Sequence, residues 1–220
     1  MTPHFKTQHG FTLVELSIVL VIIGLIIGGV LTGQQIIQNA RINNAINGIQ
    51  AYQAQFQTYS QNYGALPGDD PSALTRFPSL AQISNVSNGN NDGNVGTTSS
   101  FDTSATTGTA TESLSVWAHL RAAGLVKNQV TNGTTAIQPP NPFGGIYGFQ
   151  TGAFGVFTTT TLCLNKIAGG SAQAIDSRLD DGTSDDGNVQ ATIYTGAGAS
   201  SAAPATSYTD DNTYTLCVKM

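Results

Sequence analysis

The chain has 220 residues and a formal net charge of −5. Only 10 % of its residues are charged, against about 25 % in an ordinary domain, and Gly, Ser, Thr, Asn and Gln fill the gap. An acidic chain this poor in cations lacks the basic patch a nucleic-acid-binding face needs, and neutral polar residues suit an extracellular surface. The length fits one domain plus an additional element. Two cysteines, Cys163 and Cys217, lie late in the chain, and an even count in an exported protein favours one disulfide.

Residues 1–10 are short and polar, with Lys6 as the one certain positive charge. FTLVELSIVLVIIGLIIGGVL follows at residues 11–31. As a helix this run is roughly 31 Å long, which matches a hydrocarbon core of about 30 Å. It is longer than a secretory signal core, and no small-residue cleavage site follows it. Hydropathy alone leaves an uncleaved membrane anchor open. Glu15 breaks that reading. A lone carboxylate at mid-membrane costs roughly 2.5–3.5 kcal/mol on insertion scales, and residues 11–31 hold no cation. A cut between Gly10 and Phe11 would create one, because a new α-amino group titrates near about 7.7–8.0.

The run G-F-T-L-V-E-L, residues 10–16, resembles the cleavage and methylation signature of type IV prepilins and type II secretion pseudopilins. The resemblance rests on a short basic leader, Gly followed by Phe, and Glu at the fifth position after the cut. It is strongest over the first 55 residues or so. It implies that a membrane prepilin peptidase cuts after Gly10 and that Phe11 is N-methylated. It implies that Glu15 pairs with the amino terminus of a neighbouring subunit. It also implies other pilin or pseudopilin subunits, membrane lipid and an inner-membrane assembly platform as partners. The chain would cross the bacterial inner membrane once, N-terminus cytoplasmic and head periplasmic, before entering a pilus.

Gly24, Gly28, Gly29 and Gly33 make two consecutive G-x-x-x-G spacings, 24/28 and 29/33, which let helices approach closely. Beyond the span, Ile42, Ile46, Ile49, Tyr52, Phe56, Tyr59 and Tyr63 recur at steps of three and four, one continuous stripe on a helix. Gly64 is a fitting C-cap and Pro67 a stop. One helix of about 53 residues is therefore expected over 11–63, apolar all round at first and amphipathic afterwards. The expected layout is a leader at 1–10, a spanning and filament-core helix at 11–31, its amphipathic continuation at 32–63 and a soluble head at 64–220.

ALPGDDPSA at residues 65–73 is turn chemistry, and a polar loop is expected from there to about residue 110. Within it, Asn88, Asn90 and Asp92 alternate before Gly93, like the first part of a calcium loop. Position twelve would be Ser99 rather than a bidentate Glu, so a polar surface turn competes with that reading. A short helix is expected over 111–126, with Leu114, Trp117 and Leu120 inward, His119 off that stripe and Gly124 at its end. No nucleophile–base pair stands out, so no enzyme is expected.

The last third reads as strands, at residues 145–166, 187–195 and 214–219, with a short helix between 167 and 181. The expected fold class is α+β: a long N-terminal helix on a C-terminal antiparallel sheet, the arrangement of the type IV pilin fold. Asp180, Asp181, Asp185 and Asp186, with Asp176, form the densest acidic cluster. This is a second calcium candidate by the resemblance and otherwise a solvated loop; no further cofactor is expected. The functional expectation is a structural subunit of a type IV pilus-like filament. A type II secretion pseudopilin, or an anchored binding or enzymatic domain that does not polymerise, stands as the alternative.

Overall fold

The computed structural model describes residues 12–82, 86–96, 111–127, 138–196 and 202–220. The chain forms two compact units, Met1–Ala40 and Arg41–Met220. A single helix, α1 (Leu13–Tyr63), contributes to both.

In the first unit α1 has no buried side chain. Its apolar residues from Leu13 to Ile37 lie between 47 % and 85 % exposed. The helix is long and apolar enough to cross a membrane. No Pro interrupts it, and it ends at Tyr63, where Gly64 turns left-handed at φ 71° and donates its N–H to the Ser60 carbonyl. That is the termination expected of a C-terminal glycine.

The second unit is α+β. Its four antiparallel strands are β1 (Tyr147–Thr151), β2 (Thr160–Ala168), β3 (Val189–Ile193) and β4 (Thr213–Lys219), in the order β1-β2-β4-β3. Side chains alternate across a strand. Tyr147 and Phe149, Leu162 and Leu164, Val189 and Ala191, and Tyr214, Leu216 and Val218 therefore share one apolar face. The second half of α1 covers it with Ile42, Ala45, Ile49, Phe56 and Tyr59, while Ile46, Tyr52 and Tyr63 pack at the margin. Of the seven residues of the sequence stripe, Ile42, Ile49, Phe56 and Tyr59 are in the core and the other three pack against it. Burying the five covering side chains contributes on the order of 10 kcal/mol. Gly48 lets the sheet come close: a Cβ there would lie 2.5 Å from the Tyr147 hydroxyl, which donates to the Ala45 carbonyl. Phe56 meets Phe149 at 4.9 Å between ring centroids, and Tyr52 meets Trp117 edge-on at 5.0 Å.

Short helices fill the flanks. α2 (Ala73–Arg76) follows the turn after α1. α3 (Glu112–Ala122) stops short of the 126 expected, because Gly124 is left-handed at φ 73° and Leu125 N–H returns to the Leu120 carbonyl. α3 is also buried around its whole circumference from Ser113 to Leu120. His119 was expected off the apolar stripe, but it is completely buried. α4 (Gly169–Leu179) fills the interval between β2 and β3. A bulge in β2 shifts the register between Leu164 and Ile167, with Lys166 left-handed, and returns Ile167 to the core face.

Cys163 and Cys217 stand directly opposite each other on β2 and β4 and are joined by a disulfide. They sit on the other face of the sheet, beneath Ala153, Phe154 and Phe157. The bridge spans 54 positions, and closing a loop of that size stabilises by about 4 kcal/mol on the chain-entropy model. Replacing both cysteines by Ser should lower the melting temperature of the detergent-solubilised chain, with a loss of that order in denaturant titrations. Two free thiols in the native protein, read by alkylation without reductant, would contradict the bridge.

His119 ties α3 to the turn after α1. Its Nδ1 accepts from Gly68 N–H at 2.9 Å, so Nε2 carries the proton and donates to the Ser87 carbonyl at 3.3 Å. Burial pushes its pKa from 6.5 down to about 4. Between those values the unfolded chain binds a proton that the folded chain does not. Stability is therefore fully present above pH 6.5 and is lost as pH falls towards 4, by on the order of 3 kcal/mol. Denaturant titrations from pH 7 to 4 should show this loss in the wild type and a flatter profile in His119→Gln. Parallel profiles would overturn the assignment.

Candidate functional site

The described part of the N-terminal signature is the first turn of α1. Thr12 precedes the helix and accepts its first helical bond, from Leu16 N–H at 3.3 Å. Thr12 Oγ1 accepts from Glu15 N–H at 3.2 Å. In return Thr12 N–H and Oγ1–H donate to Glu15 Oε2 at 2.9 and 3.0 Å. This is a capping box, in which residues three apart satisfy each other's orphan groups. The T-x-x-E spacing was present in the sequence but was not read as a cap.

That geometry changes the account of Glu15. The sequence left its carboxylate wanting a cation. The lone chain already supplies two donors, both to Oε2, while Oε1 accepts no bond among the described residues. Two neutral donors leave the charge itself uncompensated. The carboxylate stands on an exposed helix end, in the first turn of the apolar run. Gly10 and Phe11 lie outside the described residues. Gly24, Gly28, Gly29 and Gly33 have no atom within 4 Å of where a Cβ would be. Gly24 with Gly28, and Gly29 with Gly33, open two separate faces of a helix that nothing in its own unit covers.

The calcium candidates are rearranged by the fold. Asn88 turns its Oδ1 to Leu74 N–H, so it does not join Asp92. Asn90 and Asp92 do meet, Nδ2 to Oδ2 at 2.9 Å. Asp92 is brought instead to Asp69 and Glu112, two residues the sequence did not single out. Asp69 is buried and receives the N–H groups of Asn91, Asp92 and Gly93. Glu112 receives those of Asn90 and Gly96. These carboxylates fold the 86–96 segment around themselves. The neighbouring Asp70 is buried too, paired with Arg76 and accepting from Tyr59 Oη at 2.7 Å.

In the second cluster Asp176, Asp180 and Asp181 come together, whereas Asp185 and Asp186 stay exposed in the following turn. Asp176 is buried in α4 and accepts from Tyr208 Oη at 2.6 Å and Gly182 N–H at 3.2 Å. Burial pushes its pKa up, against those two bonds. Asp180 receives the N–H groups of Asn188 and Val189. Both clusters thus have backbone donors on their carboxylates, as turn-forming acids do.

Residues 5–31 match the family model described as the prokaryotic N-terminal methylation motif. No curated protein and no solved structure matches the chain. The matched segment contains the Gly10–Phe11 junction, the Thr12–Glu15 capping box and the apolar span together. The chain therefore carries the prepilin-type N-terminal signature of type IV pilins and pseudopilins.

Proposed function

We propose that this protein is a structural subunit of a type IV pilus-like filament. A prepilin peptidase cuts it between Gly10 and Phe11 and Phe11 is N-methylated. It sits across the inner membrane with its head in the periplasm, and polymerises through α1. The observation that carries this reading is Glu15: a carboxylate in the first turn of α1, whose apolar residues from Leu13 to Ile37 are all exposed, inside the segment that matches the methylation motif. An ion there is too costly in lipid to be incidental. Cleavage supplies a cation four positions away in the sequence, and a second copy can bring that cation to the open Oε1.

A type II secretion pseudopilin would share the first turn and the span, and the two machines differ in where the fibre goes. Antibody to this protein should decorate long surface fibres in negative-stain images of sheared material. Labelling confined to the cell envelope would favour the secretion machine.

Processing is read by intact mass. The mature protein should lack residues 1–10 and carry one extra methyl on Phe11. A mature chain beginning at Met1 would overturn the reading.

Glu15 can be separated into its two roles by substitution. Glu15→Gln keeps an oxygen acceptor for Thr12 and so keeps the cap; Glu15→Ala loses the cap as well, at about 1 kcal/mol. If the charge drives assembly, both variants should be inserted and cleaved, and both should enter fibres poorly when co-expressed with wild type. Glu15→Asp should be intermediate. Quantifying cleaved mutant in sheared fibre and in membrane decides it. Wild-type incorporation of Glu15→Gln with poor incorporation of Glu15→Ala would make Glu15 a cap only.

A further inference from the structure

α1 carries two charged side chains along its 51 residues, Glu15 and Arg41. They have opposite signs, both are exposed, and 26 positions separate them. Neither has a counter-ion among the described residues, where the one ion pair joins Arg76 to Asp70. Beyond Arg41 the chain carries no further charge until Asp69.

We propose that α1 is complementary to itself. A second copy of this chain docks parallel to it, shifted by 26 positions, so that Glu15 of one copy meets Arg41 of the other. The inference rests on the filament reading above and specifies one of its contacts.

The charges select the register. At zero shift each charge faces its own kind. At intermediate shifts both face neutral residues of α1 and stay unmatched. At a shift of 26, residues 13–37 of one copy run beside 39–63 of the other, and Glu15 with Arg41 is the only charged pair in the overlap. Arg suits this role, because its guanidinium stays charged and donates strongly to a carboxylate oxygen, and Oε1 of Glu15 accepts no bond among the described residues. The flanking surface is apolar on one side, Leu16 to Ile37, and neutral Asn, Gln and Ala on the other. The apolar side lowers the hydration of the pair and so strengthens it, and the amide side offers no competing charge.

The contact joins two different positions on identical chains, so it is heterologous. Each docked pair still offers one unused Glu15 and one unused Arg41. A heterologous contact that does not close grows an open helical array. The amine at Phe11 of another copy would need a shift of four positions and therefore belongs to a different neighbour. Oε2 is taken by Thr12, but Oε1 has two acceptor sites and can serve both.

The test uses full-length chains in cells. In a chain carrying Ile18→Cys and Asn44→Cys, both exposed and 26 positions apart, a short bis-maleimide should link copies in sheared fibres into a ladder of multimers. The control pairs Ile18→Cys with Ile37→Cys, and Ile18→Cys with Gln57→Cys, should give no ladder. Arg41→Gln should enter fibres at least tenfold less than wild type at equal levels of cleaved protein, and Arg41→Lys should recover part of that loss. A ladder from a control pair alone, or from no pair, overturns the register, and so does wild-type incorporation of Arg41→Gln. If Arg41→Gln enters fibres normally while Glu15→Gln does not, only the register falls. If the wild-type chain is absent from fibres, the filament reading falls with it.

Discussion

The sheet of the second unit has one strongly apolar face, and among the described residues no second sheet covers it. Ile42, Ala45, Ile49, Phe56 and Tyr59 of α1 supply the cover, and everything else in that unit is arranged around this contact. The strands can be short because the helix buries them. The Gly48 gap lets Tyr147 reach the α1 backbone. Trp117 of α3 closes the side, against Tyr52 and Phe149. Helix-on-sheet layering of this kind is what lets a single amphipathic stripe organise a domain.

Once the helix is seated, its far end has to be tied down. The turn after Tyr63 does this with buried polar groups rather than apolar ones. Gly68 donates to His119, Asp69 collects three backbone N–H groups from residues 91–93, and Asp70 holds Tyr59 and Arg76. Buried carboxylates and a buried imidazole are tolerable only when their hydrogen bonds are made, and here each has partners in a different segment. The unprotonated state of His119 follows from the same contacts. Gly68 occupies Nδ1, and the surrounding apolar rings disfavour the charged form.

The first unit obeys a different rule. From Leu13 to Ile37 the apolar side chains of α1 have nothing in their own unit to cover them. A helix that is apolar all round requires either lipid or other helices. On the filament reading proposed above, a subunit that starts in a membrane and ends in a fibre would meet both requirements in turn. The capping box at Thr12 and Glu15 is compatible with either surrounding, because it satisfies the helix end from within the chain and still leaves a net charge to be matched.

Much of this was legible in the sequence, because its signals are local. The span, the stripe from Ile42 to Tyr63, the Gly64 stop and the location of most strands follow from periodicity and from residues that punctuate the backbone. The methylation motif is a short linear pattern, and so is the T-x-x-E of the capping box, which could have been read and was not. What the tertiary structure alone decided depends on segments far apart in the chain. The strand order β1-β2-β4-β3 sets Cys163 opposite Cys217. Asp69 joins Asp92 and Glu112 while Asn88 turns away to Leu74. His119 is drawn under the turn at Gly68, although its helix periodicity places it off the apolar stripe. Periodicity reports which face of an element is apolar. It carries no information about a second element that packs on the polar face as well, and α3 is enclosed on all sides.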